Sequence, residues 1–112
     1  MVFEVRNYHV DPAVFPAFRR WAQDEGVPYL KSQLDVVGFW YATADAAEST
    51  GTPDPLGAPS VTWIVRWSDL AERQRRWPEV MGDARWQALF ARVPGGRTSY
   101  LRTSAYFADR FD

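Results

Sequence analysis

Hydrophobic and polar positions alternate with a period of two from Val2 to Val10, with Phe3, Val5, Asn7 and His9 on one side and Glu4, Arg6 and Tyr8 on the other. That spacing predicts a strand. Asp11-Pro12 ends it and opens a helical region, Asp serving as cap and Pro being tolerated in a first turn. Val14, Phe15, Phe18 and Trp21 then form one apolar stripe at helical spacing. Pro16 lacks a backbone donor, so the main helix is expected to begin near Phe15 or Pro16. Gly26 is expected to stop it, with Pro28 opening a short second piece to about Gln33. Leu34 to Ala42 is rich in β-branched and aromatic residues and predicts a strand buried on both faces. Gly38 in its middle marks a bulge or a close approach.

Thr43 to Ser60 holds no large residue except Leu56 and reads as a loose flap or a disordered loop, the alternative being a lid or a dimer-clasping arm. Val61 to Trp67 is the next strand. Asp69 and Glu72 form a capping box that opens a helix through about Trp77, where Pro78 and Gly82 are expected to break it. Asp83 caps a further piece whose Trp86, Leu89, Phe90 and Val93 make an amphipathic stripe. Pro94-Gly95-Gly96 is a turn, and Thr98 to Phe107 alternates as a last strand. The order β-α-β-β-α-β predicts an α+β fold of the ferredoxin-like kind, an antiparallel sheet with the helices on one face. The other face would carry aromatic residues into water unless a second sheet covered it. Two copies packed sheet to sheet, a homodimeric α+β barrel, solve that problem. The whole chain, residues 1–112, is expected to form this single domain, with a flexible loop at about 43–60.

Composition removes several function classes. Thirteen cationic and 14 acidic side chains give a net charge of −1, which leaves no basic face for nucleic acid. Of the cations only Lys31 is lysine. Without cysteine there is no disulfide, no thiolate nucleophile and no sulfur metal site. With His9 the single histidine, a zinc site within one chain is not expected. No stretch reaches the ~18 apolar residues of a membrane span, and Phe3-Glu4-Val5-Arg6 is not a signal peptide, so a cytoplasmic domain is expected. Six Trp, five Tyr and seven Phe in 112 residues imply a thick core, a pocket or a partner subunit.

The candidate chemistry follows from the strand faces. Asn7 and His9 are assigned with Phe3 and Val5 to the face beneath the helices, and Trp63 and Trp67 likewise share one face of the third strand. Together they would line an apolar cleft with a few polar groups. Histidine is the usual general base near neutral pH, so His9 could serve as one, with Asn7 and Tyr41 orienting a substrate and Trp40, Trp63 and Trp67 stacking on it. The plain structural reading has His9 bonded to a turn, Asn7 satisfied within the sheet and the tryptophans in the core. Glu4, Arg6 and Tyr8 point the other way, to the face assigned to the partner, where an Arg–carboxylate pair would orient two subunits. The alternative is an anion-binding Arg6 with Tyr8 as proton donor. Arg66 and Arg102 could join that network, and Arg73, Arg75 and Arg76 read as a solvated helix face.

Phe3-Glu4-Val5-Arg6-Asn7-Tyr8 resembles the Tyr-Glu-Leu-Arg-x-Tyr opening of the NIPSNAP family. Pro12 to Phe18 is similar to its first helix start, and Gly38-Phe39-Trp40-Tyr41 to its Gly-x-Trp strand. Arg66-Trp67-Ser68-Asp69-Leu70-Ala71-Glu72-Arg73 resembles its Arg-Tyr-Asp-Ser-Leu-Ala-Glu-Arg segment, and Asp83 to Val93 its Asp-Pro-x-Trp-Gln-x-Phe helix. The resemblance runs in order from Val2 to about Thr103 and implies the dimeric α+β barrel fold. Fold alone does not assign chemistry. Two departures stand out: Trp63 occupies a strand-three position where the family often has histidine, and the preceding loop is longer. The wider fold group includes cofactor-free monooxygenases and heme-degrading enzymes. Asn7 and Trp67 look like the strand residues of the heme-degrading kind, but the second helix offers Arg75, Arg76 and Trp77 and no histidine ligand. No cofactor is therefore expected. The reading is a homodimer that binds a small lipophilic or aromatic molecule between sheet and helices, as a cofactor-free monooxygenase-like or cyclase/isomerase-like enzyme. The alternative is a non-catalytic dimerisation or protein-interaction module.

Overall fold

The computed structural model describes residues 1–43 and 48–112. Four strands, β1 (Val2–Val10), β2 (Val36–Tyr41), β3 (Val61–Trp67) and β4 (Tyr100–Ala108), form one antiparallel sheet in the order β2-β3-β1-β4. The helices are α1 (Phe15–Trp21), α2 (Val27–Gln33), α3 (Leu70–Met81) and α4 (Ala84–Phe90), and their apolar stripes pack on one face of the sheet. This is the ferredoxin-like α+β arrangement expected from the element order.

Gly26 does not stop the first helix. Its backbone is helical (φ −64°, ψ −52°), and Ala22–Gly26 forms a π-helical step joining α1 to α2. The Trp21 ring lies over Gly26, where a Cβ would come within 3.1 Å of two ring carbons. Glycine is thus selected by close approach here, not by helix termination. Pro78 does not break α3 either. The helix forgoes one backbone bond and continues to Met81, because Val80 then enters the core at 1% exposure. The start of α3 is as expected, with Glu72 N–H donating to Asp69 Oδ1 at 2.8 Å. Asp83 caps α4 in the same manner through Arg85 N–H, at 2.7 Å. Gly95 and Gly96 take φ of +76° and +64° in the turn before β4, a region that favours glycine.

β2 begins at Val36 and is a sheet edge, not a strand buried on both faces: Val37 and Trp40 are half exposed. Its pairing slips between Val36 and Gly38, and the Trp40 ring covers Gly38 so closely that a Cβ there would meet it at 2.7 Å. Of the expected loop at 43–60, residues 44–47 lie outside the described residues. Its far end is tied to β1: Ser60 N–H and Ser60 Oγ both donate to the Tyr8 carbonyl (2.9 and 3.1 Å), and Ser60 Oγ accepts from Val10 N–H at 2.8 Å.

The buried core has two parts. Leu30, Leu34, Trp63, Val65, Trp67 and Val80 form one cluster; Val10, Phe18 and Val93 form the other. Tyr8 and Val61 pack against both.

Candidate functional site

The register reverses the expected assignment of β1. Arg6 pairs with Trp63 and Glu4 with Val65, and directly opposed residues point to the same side of an antiparallel sheet. Glu4, Arg6, Tyr8 and Val10 therefore lie beneath the helices. Phe3, Val5 and Asn7 face away, beside Ile64 and Thr62. A period of two fixes which residues share a face but not which face meets the helices. Apolar content favours the Phe3 and Val5 side for burial, but a paired charged cluster occupies the buried side instead.

Glu4 is the centre of that cluster and is 1% exposed. Its carboxylate accepts from Arg6 Nη1 at 2.6 Å, Arg73 Nε at 2.9 Å, Arg73 Nη2 at 3.2 Å and Trp67 Nε1 at 3.1 Å. Four donors match the about four lone-pair sites of a carboxylate. Burial alone would push the Glu4 carboxyl up, but the hydrogen bonds and charges of Arg73 and Arg6 outweigh it and hold it below its ordinary range. Arg6 in turn lies 4.5 Å above the Trp77 ring and donates from Nε to Tyr8 Oη at 2.9 Å. Trp63 Nε1 donates to the same phenol oxygen at 3.0 Å. With both lone pairs of Oη used as acceptors, the Tyr8 proton is free for a third partner.

Above Arg6 and Tyr8 is a cavity of about 760 Å³. Its walls are aromatic: Phe18 and Trp21 from α1, Trp77 from α3, Trp86 and Phe90 from α4, and Tyr100 from β4. The rings brace one another, with Trp63 stacked on Phe39 at 4.7 Å and Tyr100 edge-on to Tyr8 at 5.5 Å and to Phe18 at 5.7 Å. At the margin, the Arg19 guanidinium sits 4.1 Å over the Tyr41 ring. Burial pushes the Tyr100 phenol far above its ordinary value.

The family model for NIPSNAP matches residues 3–99. The chain belongs to the NIPSNAP family. Solved structures of similar shape include an uncharacterized NIPSNAP domain protein from Burkholderia xenovorans, 22% identical over 98% of this chain and 94% of that one, with a TM-score of 0.74. A NIPSNAP family protein of unknown function from Agrobacterium tumefaciens is 23% identical over 100% of this chain and 91% of that one, with a TM-score of 0.75. An antibiotic biosynthesis monooxygenase covers the full length of both chains at 10% identity and a TM-score of 0.62. At these identities the likeness is one of fold. No curated protein matches the chain.

In this NIPSNAP chain the cavity brings together Arg6, Tyr8, Tyr41 and Trp63, with Trp40 at its border. Asn7, His9 and Trp67 do not line it, which corrects their expected grouping with Trp63. Asn7 Oδ1 accepts from Thr62 Oγ1 at 2.7 Å on the open sheet face. His9 is at the strand end, where Nε2 lies 3.0 Å from the Gly57 carbonyl and 3.3 Å from Arg102 Nη2, beside the Asp54–Arg102 ion pair. Trp67 is 2% exposed and spends its N–H on Glu4. Glu4, Arg6 and Tyr8 do not meet a partner across the sheet, since the helices cover them. Nor does Arg66 join them: it pairs with exposed Asp35 at 2.8 and 3.2 Å. Arg73 takes that place, although it reads in sequence as one of a solvated run. The available signal is spacing, because Arg73, Trp77 and Val80 fall at i, i+4 and i+7 on the buried face of α3. Among the described residues, no group of three His, Cys, Asp or Glu side chains could hold a metal ion, and no helix is long and apolar enough to cross a membrane.

Proposed function

We propose that this protein binds a planar, lipophilic small molecule in the aromatic cavity and donates a hydrogen bond to it from Tyr8. The observation that carries the reading is the doubly accepting Tyr8 oxygen, whose proton is left for a cavity occupant. A few polar groups set in apolar walls are what a small-molecule site requires. Chemically, a phenol backed by a guanidinium polarises a carbonyl oxygen, the general-acid step of an enolisation or isomerisation. An antibiotic biosynthesis monooxygenase shares the fold, which extends the reading to an enzyme that acts on the bound molecule.

Two ligands of nearly equal shape test the hydrogen bond. 2-Acetylnaphthalene carries a carbonyl where 2-ethylnaphthalene carries a methylene. Fluorescence titration is expected to show the ketone bound about 3–10-fold more tightly, the effect of one net hydrogen bond. Tyr8→Phe is expected to remove that difference while leaving 2-ethylnaphthalene affinity in place. Equal binding of both ligands to the wild type would overturn the Tyr8 role.

The open sheet face belongs to the same reading. Val5, Ile64 and Tyr106 lie side by side there by register, and Tyr106 is 56% exposed in the single chain. A second copy packed against this face gives the homodimer. Light scattering is expected to return twice the mass of 12.9 kDa, and Ile64→Glu, which sets a charge in the centre of that face, a monomer. A monomeric wild type would sink the dimer and leave the cavity reading standing.

A further inference from the structure

The ion cluster beneath the cavity is not neutral. Glu4 contributes one negative charge, and Arg6 and Arg73 each contribute a positive one, since a guanidinium stays protonated in a folded protein. Among the described residues, Glu4 is the one carboxylate paired with either guanidinium. The Trp77 ring, 4.5 Å from one guanidinium and 5.1 Å from the other, eases their burial without supplying net charge. The surplus faces the cavity, because Arg6 lines it whereas Glu4 and Arg73 lie behind. A second observation agrees. Among the described residues, the charged ones lining the cavity are Arg6, Arg19, Lys31 and Arg97, with no Asp or Glu, in a chain where acids outnumber cations 14 to 13.

We infer that the cavity takes an apolar molecule bearing a single carboxylate, seated against Arg6 and Tyr8. The inference rests on the pocket reading above and adds the charge of the ligand. One negative charge neutralises the cluster, and the free Tyr8 proton provides the carboxylate with a donor. Against apolar aromatic walls the attraction is stronger than the same charges would have on an open surface.

Calorimetric titration of the full chain near neutral pH with 2-naphthoate, 2-naphthamide and 2-acetylnaphthalene tests this. The acid and the amide share shape and acceptor and differ in charge. The carboxylate is expected to bind at least about tenfold more tightly than the amide. The preference is expected to persist at about 0.5 M salt, which would screen Arg19 and Lys31 at the surface but not the buried cluster. Arg73→Met neutralises the surplus without substituting a lining residue, and its thioether chain can still pack on the Trp77 ring; it is expected to abolish the preference while leaving 2-acetylnaphthalene affinity unchanged. Arg73→Lys is expected to retain it. Should Arg73→Met fail to fold, the wild-type comparison decides alone. Equal affinity for acid and amide, with the ketone still bound, overturns the charge inference and spares the pocket; no binding of any of the three overturns both.

Discussion

Glu4→Gln is expected to lower unfolding free energy by about 3 kcal/mol, read as a drop in the urea midpoint at constant slope. Gln keeps the shape and one acceptor oxygen but removes the charge. Arg6 and Arg73 would then stand side by side beneath the helices with no counterion, and each would repel the other. Breaking a buried ion cluster in this way costs about 3–5 kcal/mol. The lower figure applies because both arginine side chains retain 18% exposure, so water relieves part of the loss. For a domain whose whole stability is about 5–15 kcal/mol, that is a large share. A change below about 1 kcal/mol would mean that the cluster is solvated and the guanidiniums do not depend on Glu4.

The same cluster gives a pH dependence with a definite sign. The folded-state pKa of Glu4 is depressed relative to the unfolded chain, because the two arginines outweigh the cost of burying the carboxylate. The unfolded state therefore binds a proton more readily. The stabilisation from Glu4 is present in full above the unfolded value of about 4.3 and is lost as pH falls through the lower folded value. In the Gln variant Glu4's share of the acid-side slope disappears, while that of other depressed carboxylates such as Asp54 and Asp83 remains, which distinguishes a lost ion cluster from lost packing.

Much of the fold was legible because it rests on local patterns. The two-residue period of Val2–Val10, the Asp69/Glu72 box and the Asp83 cap each act within a few residues, and each forms where the pattern places it. The errors have one cause in common: they concern contacts made between distant segments. Pro78 sits inside α3 because Val80 gains burial against a strand that arrives from elsewhere. Gly26 is the exception, a local one: it stays helical beneath the ring of Trp21, five residues earlier. The candidate site was half legible. Glu4, Arg6 and Tyr8 read in sequence as one directed set, which they are, but the partner that holds their helix-facing side, Arg73 on α3, lies 69 residues along the chain from Glu4. No arithmetic on β1 alone supplies that partner. Conversely His9, the only histidine, drew attention through its chemistry, while its actual bond is to a loop carbonyl at Gly57.

Trp63→Ala is expected to cost about 3–5 kcal/mol and to abolish binding of 2-acetylnaphthalene, a joint loss that follows from what this residue does. Trp63 is 2% exposed, stacks on Phe39 at 4.7 Å and packs at 6.0 Å from Trp77, so truncation opens a void in the larger core cluster. It also removes the Nε1–H donor from Tyr8, leaving the phenol held by Arg6 alone. Trp63→Phe separates the two effects. It keeps most of the ring contact and loses the donor, so stability is expected to fall by only about 1–2 kcal/mol. The Tyr8 oxygen then has a free lone pair and no longer needs to turn its proton into the cavity. The ketone's advantage over 2-ethylnaphthalene is accordingly expected to shrink in Trp63→Phe while affinity for 2-ethylnaphthalene persists. If the ketone's advantage survives in Trp63→Phe, the proton of Tyr8 is directed by something other than its two donors, and the indole serves only as packing.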